Sequence, residues 1–142
     1  MREIKFRVWD NQNNDWLISQ RKEDHLVELL YSDHKFYLDH GRGDFKQRVI
    51  RSTDIMQQYT GLKDKNGVEI YEGDIVVYRE KNREIRIGQY SNGEDDRIGC
   101  FIQDPIVTHR NFGSSRISDF AKCEVIGNIF ENKPLLCDGT LI

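Results

Sequence analysis

The sequence predicts a mainly β protein, with an N-terminal β-hairpin lobe, a C-terminal SH3-like small barrel and only minor helical turns. Three observations predict it. Apolar and polar residues alternate over short runs, as in Ile4-Lys5-Phe6-Arg7-Val8 and Val68-Glu69-Ile70, the period of strands with one buried face. Turn formers punctuate those runs at Asp10-Asn11-Gln12-Asn13-Asn14-Asp15, Asn66-Gly67 and Asn92-Gly93, because Asx side chains bond their own backbone and glycine accepts positive φ. Finally, five short strands from about residue 68 to 130, joined by tight turns and one helical turn, resemble an SH3-like barrel, an analogy of fold that carries no function.

The elements follow in order. Residues 4–8 form a strand, residues 10–15 a polar turn, and Trp16-Leu17-Ile18 the partner strand. Residues 25–31 fit a helix through Leu26, Leu29 and Leu30 and a strand through Leu26, Glu28 and Leu30; the β surroundings favour the strand. Phe36-Tyr37-Leu38 is a brief apolar run, residues 39–44 a loop, and residues 45–50 another strand. Residues 55–59 lead into the densest part of the chain, residues 58–78. There Tyr59, Thr60 and Leu62 read as a strand, Asn66-Gly67 as a tight hairpin, Val68 and Ile70 as its return, Gly73 as a sharp bend, and Ile75-Val76-Val77-Tyr78 as a third strand. Beyond it, residues 79–83 form a charged reversal, Ile85 and Ile87 a strand, residues 91–97 an exposed turn, and Cys100-Phe101-Ile102 a buried strand. Residues 108–115 make a polar loop, Ser118 is placed to cap one helical turn over 119–122, and residues 125–130 close the fold.

Three segments resemble the YopX family of small phage and prophage proteins: Lys5-Phe6-Arg7-Val8-Trp9-Asp10, the run from Gln58 to Val76, and Glu124-Val125-Ile126-Gly127-Asn128-Ile129-Phe130-Glu131-Asn132. They stand in the family's order and span nearly the whole chain. The tail departs, because Lys133 separates Asn132 from Pro134-Leu135-Leu136, where the family places proline directly after the asparagine. The resemblance implies a phage-encoded, β-rich protein and offers no active site to carry over.

Composition narrows the function classes. At 142 residues the chain makes one compact YopX-type unit or two small lobes, 1–57 and 58–142, and buries roughly 68–70% of its unfolded surface without staples. Residues 1–60 carry 10 Lys+Arg against 10 Asp+Glu and residues 61–142 carry 11 against 14, so neither half is the basic footprint that a phosphate backbone demands. No run approaches the ~18 apolar residues of a membrane helix, and the start, Met1-Arg2-Glu3-Ile4, has no signal-peptide character. Cys100, Cys123 and Cys137 are odd in number and far apart, which fits a reducing bacterial cytoplasm better than a disulfide framework.

No catalytic or cofactor constellation emerges. His25, His34, His40 and His109 lack metal-ligand spacing. Cys100 and Cys123 lie in strand or near-core segments, where cysteine packs as a small apolar residue. Arg42-Gly43-Asp44 matches an adhesion tripeptide by coincidence, and Glu94-Asp95-Asp96 lacks the spaced oxygens that calcium requires. Lys5, Arg7, Trp9, Tyr59 and Tyr71 form the candidate interaction surface, since an exposed Trp beside two cations stacks on bases or anchors a partner. Aromatic residues are also enriched in strands for packing alone, which favours Trp9 covering the hairpin. The expectation is therefore a non-enzymatic, cytoplasmic interaction protein without cofactor or membrane. It would associate with itself or with a phage or host protein; the alternative is a small barrel binding single-stranded nucleic acid.

Overall fold

The computed structural model describes residues 6–18, 28–32, 35–39, 48–49, 52–107 and 109–137. The described chain is mostly strand, with one single-turn helix and one 3-10 turn. It divides into two compact units, one within residues 5–57 and one within 58–142.

The first unit opens on a hairpin of β1 (Phe6–Asp10) and β2 (Asp15–Ile18), paired with Trp9 opposite Trp16 and a bulge next to Val8. Its turn forms because the Asp10 carboxylate accepts the backbone N–H groups of Gln12 at 2.9 Å and Asn13 at 3.1 Å. The alternation of β1 predicts one buried face, yet Arg7, Val8, Trp9 and Asp10 are all buried. Arg7 tolerates burial because its Nε donates to Gln57 Oε1 at 3.0 Å and its guanidinium lies 4.6 Å from the Trp16 ring centre. A paired cation loses far less on leaving water than a bare one. A separate antiparallel sheet holds β3 (Glu28–Ser32), β4 (Lys35–Asp39) and β5 (Arg48–Val49) in that order. The strand expected over 25–31 is present in its described part; of the loop expected over 39–44, Asp39 instead ends β4, paired with Glu28, and residues 40–44 lie outside the described residues.

A long strand, β6 (Asp54–Lys63), pairs with β7 (Glu69–Tyr71). The Asn66-Gly67 turn is wider than a two-residue hairpin. Gly67 N–H bonds to the Asp64 carbonyl at 3.0 Å, and Gly67 alone of the pair has positive φ, at 81°. Asp64 organises this turn: its carboxylate accepts from Asn66 N–H at 2.8 Å, Val68 N–H at 2.9 Å and Val125 N–H at 2.9 Å. Gly73, at φ 82°, makes the bend into β8 (Asp74–Tyr78).

The charged reversal expected over 79–83 is only two residues long. Tyr78 pairs directly with Lys81, and Arg79 and Glu80 both take positive φ. It leads into β9 (Lys81–Ser91), β10 (Asp96–Gln103), β11 (Gly113–Ser114), the single-turn helix α1 (Ile117–Phe120) and β12 (Glu124–Asn128). The antiparallel sheet order is β11-β10-β9-β8-β12. Its core packs Ile70, Val76, Tyr78, Ile85, Ile102, Phe120 and Cys123, joined by the half-buried Leu62, Cys100 and Val125. The helix is one residue-pair earlier than expected: Arg116 holds the N-cap position and Ser118 lies inside the turn. Despite the inserted Lys133, the tail docks, as the 3-10 turn Lys133–Cys137 offers its Leu135 carbonyl to Asn82 Nδ2 at 2.8 Å.

Candidate functional site

A strongly charged cleft lies within residues 78–119. It encloses about 430 Å³, and its walls come from the β8–β9 turn, the start of β10, the edge strand β11 and helix α1. Arg79 and Arg83 come from either side of the β8–β9 turn, and Arg116 precedes α1. Both turn arginines sit 5.3 Å from the Tyr78 ring centre, within cation–π reach of it. Arg83 is fixed further by donating from Nε to the Tyr78 carbonyl at 3.0 Å. Among the described residues, Arg79, Arg83 and Arg116 form no salt bridge, whereas Arg97, on the same cleft, is 3.6 Å from Asp95.

Two of the three acids that line the cleft, Asp104 and Asp119, are already engaged, and Glu94 lines it as well. Asp119 Oδ1 accepts the Tyr78 hydroxyl at 2.6 Å and its Oδ2 accepts the Ser114 hydroxyl at 2.5 Å. Desolvation pushes the Asp119 carboxyl up, but those two hydroxyls and the charges of Arg79 and Arg116 outweigh it and hold the group below its ordinary value. Asp104 follows the same pattern: desolvation raises it, and the N–H groups of Val107 and Ile106 with Arg83 and Lys81 bring it below. The Tyr78 hydroxyl is raised, chiefly by its bond to Asp119 and then by burial. At neutral pH the Asp104 and Asp119 carboxylates are thus ionised and the Tyr78 phenol protonated, and four arginines, Arg79, Arg83, Arg97 and Arg116, stand beside three acids on the cleft wall.

One buried side chain clamps the loop behind the cleft. Gln103 Nε2 donates to the carbonyls of Val107 at 2.5 Å and Arg110 at 2.9 Å, while its Oε1 accepts Phe112 N–H at 3.2 Å. Nearby, burial and then the Asp119 charge push the Cys123 thiol up to about 12, so it stays protonated and serves the core.

The residues expected to form an interaction surface lie elsewhere, and they are interior. Arg7, Trp9, Tyr59 and Tyr71 are 2%, 4%, 4% and 1% exposed, and Lys5 lies outside the described residues. Trp9 meets Trp16 edge-on at 5.0 Å, and Tyr59 pairs with Tyr71 across β6 and β7, their rings 5.4 Å apart. The described four are packing residues, because strand aromatics gain more from burial than from facing water. The cleft residues Tyr78, Arg79, Arg83, Ser114, Arg116 and Asp119 were not singled out by the sequence. The signal available was the cluster of arginines on two loops, with nothing in the sequence to say that the loops meet.

A similar solved structure is the crystal structure of protein EF1440 from Enterococcus faecalis. It is 27% identical, with a TM-score of 0.56 over 96% of this chain and 99% of that one. No curated protein matches the chain. The family model described as YopX protein matches residues 5–137, nearly the whole chain. With the three sequence segments and the β-rich fold in agreement with that match, the chain belongs to the YopX family.

Proposed function

We propose that this chain is a non-enzymatic interaction module, phage- or prophage-encoded and acting in the host cytoplasm, whose cleft holds an acidic segment of a partner protein. The partner is a phage or host protein or a second copy of the chain. The observation that carries the reading is the placement of Arg79, Arg83 and Arg116 on one cleft with no salt bridge among the described residues. Guanidinium groups are weakly hydrated and fork-shaped, which suits them to carboxylates and phosphates. Catalysis has little support in the same cleft: the Ser114 hydroxyl faces a carboxylate whose proton affinity is lowered, a poor general base near neutrality. The five-stranded sheet with α1 is the part we read as the SH3-like barrel.

The test is fluorescence anisotropy with labelled deca-glutamate and labelled deca-thymidine DNA over a salt series. Wild-type protein is expected to bind deca-glutamate in preference. Charge reversal at Arg79 and Arg83 together is expected to weaken that binding at least about tenfold, the equivalent of 1.4 kcal/mol. Tighter binding of the oligonucleotide with a steep salt slope would instead favour the nucleic-acid reading. Indifference of both probes to the charge reversal would remove the cleft from the function.

A further inference from the structure

We propose that Glu94 selects the ligand, so that the cleft takes an acidic segment with a lysine or arginine beside its acids rather than an unbroken polyanion. The inference rests on the reading of the cleft just given and goes beyond it, because it assigns the residue that sorts one acidic ligand from another. Of the three acids on the cleft, Asp119 is engaged by the hydroxyls of Tyr78 and Ser114, and Asp104 by the N–H groups of Ile106 and Val107. Glu94 is the third. Among the described residues it forms no salt bridge, and its turn uses its backbone N–H rather than its carboxylate. The turn's own cation, Arg97, pairs with Asp95 at 3.6 Å instead. A carboxylate on the cleft that holds Arg79, Arg83 and Arg116 repels an incoming acid and attracts an incoming cation.

Glu94 comes from the turn between β9 and β10, and that turn is built before any ligand arrives. The Asn92 side-chain oxygen accepts Glu94 N–H at 2.9 Å and Asp95 N–H at 2.8 Å, and Ser91 Oγ accepts Gly93 N–H at 3.2 Å. The turn is also held against the segment before β11. Ser91 N–H donates to the Asn111 carbonyl at 3.2 Å, and a Cβ on Gly93 would stand 3.6 Å from the Phe112 ring. β9 is eleven residues long, so a flat ribbon would carry its far end about 30 Å from the β8–β9 turn. Gly88 and Gly99 stand opposite each other within the ribbon, at φ 153° and 151°, a region open to glycine. Glycines inside strands mark bends, and the tip beyond this pair lines one cleft with Arg79 and Arg83. A preformed tip recognises a charge without the cost of ordering itself.

Two signs of charge on one cleft exclude as well as attract. An unbroken run of acids, or a phosphate backbone, sets negative charge against Glu94 when it fills the cleft. A segment with a cation beside its acids meets both kinds of wall. Repulsion of the wrong ligand contributes to specificity alongside attraction of the right one. The ligand class is therefore a mixed-charge peptide, with acids for the arginines and one Lys or Arg for Glu94.

The experiment measures fluorescence anisotropy at low salt with labelled octapeptides of six Glu and two Gln, the Gln pair standing at either end, and with the same peptides carrying Lys in place of Gln. Deca-glutamate serves as the reference. The full chain is used, as wild type and as Glu94→Gln, Glu94→Lys and Asp96→Asn. At one end of the peptide the exchange of Gln for Lys should raise wild-type affinity about two- to fivefold, the range of an exposed ion pair, although it lowers the peptide's net negative charge. Glu94→Gln should abolish that gain and Glu94→Lys should turn it into a loss. Asp96→Asn, two residues further on and not lining the cleft, should keep it. No gain at either end, a gain that survives Glu94→Gln, or a gain lost equally in Asp96→Asn would overturn selection by Glu94. With deca-glutamate still dependent on Arg79 and Arg83, the acidic-ligand reading would then stay in place. Insensitivity of deca-glutamate to those arginines would overturn that reading itself, and the inference with it.

Discussion

Asp64 shows how one side chain can join the turn of one sheet to a strand of another. Its carboxylate accepts three backbone N–H groups, two in its own turn and one on β12, 61 positions away. It is buried, so water cannot readily replace it. Asp64→Ala leaves three donors without that acceptor, and each buried group left unmade costs about 1–3 kcal/mol before relaxation. The substitution is expected to destabilise the 58–142 unit by roughly 3 kcal/mol. Asp64→Asn, which keeps one acceptor oxygen, is expected to recover part of that loss. Urea midpoints of the two variants check this; a loss below about 1 kcal/mol for the alanine variant would mean the turn is held by its backbone alone. The sequence contains the residue but no hint of its reach, because the Val125 contact is long-range.

At the scale of elements, the turns separate what is legible from what is not. The strands of the hairpin at 6–18 and of the run from 58 to 78 follow from alternation and Asx chemistry, and the structure places them there. The turn types do not follow. Asn66-Gly67 carries the strongest two-residue hairpin signal, yet Asp64 draws the turn wider by accepting from Asn66 and Val68. The two-residue reversal with both φ positive falls instead on Arg79 and Glu80, at 49° and 64°, residues with no preference for that region. Sheet pairing between β8 and β9 overrides the local preference, and the backbone strain stays in the turn. Glu80→Gly is therefore expected to stabilise the protein by about 0.5–1 kcal/mol, relief of the left-handed strain exceeding the extra freedom of glycine when unfolded. It should leave deca-glutamate affinity unchanged, since Glu80 does not line the cleft. A urea midpoint that falls would show that the turn is unstrained.

Across the whole molecule, the fold class was readable and the site was not, for a physical reason. Strand content is written locally, in period-2 patterning and turn residues, although β11 falls inside the polar loop expected over 108–115. The cleft is written in no local pattern. It joins the 78–83 turn to the 112–119 segment, and their meeting depends on sheet order β11-β10-β9-β8, which one sequence does not display. The aromatic residues that looked available for binding, Trp9, Tyr59 and Tyr71, were drawn into the interior by the same apolar surface that made them conspicuous.

The charge network of the cleft makes the pH profile of stability a readout of the whole 58–142 unit. Asp119 and Asp104 have folded values below the ordinary 3.8. Their contribution is present above 3.8 and is lost as pH falls through the lower folded values, because the unfolded chain then binds more protons. Tyr78 lies above its ordinary 10.0, so its contribution is present below 10.0 and is lost as pH rises through the folded value. Stability from this cluster should therefore be level between about pH 4 and pH 10 and fall on both sides. Asp119→Asn should flatten the acid limb. It should also reduce the Tyr78 share of the alkaline limb, because the bond to Asp119 is the first cause of the Tyr78 shift; Tyr78→Phe should remove that share outright and leave the loss above about pH 9 that comes from the Cys123 thiol, pushed up to about 12 in the fold. Urea midpoints measured across that range for the wild type and both variants decide the matter. Arginine does not titrate in this range, so deca-glutamate affinity should be flat from about pH 6 to pH 9. A binding transition centred near neutrality would assign recognition to a histidine rather than to Arg79, Arg83 and Arg116.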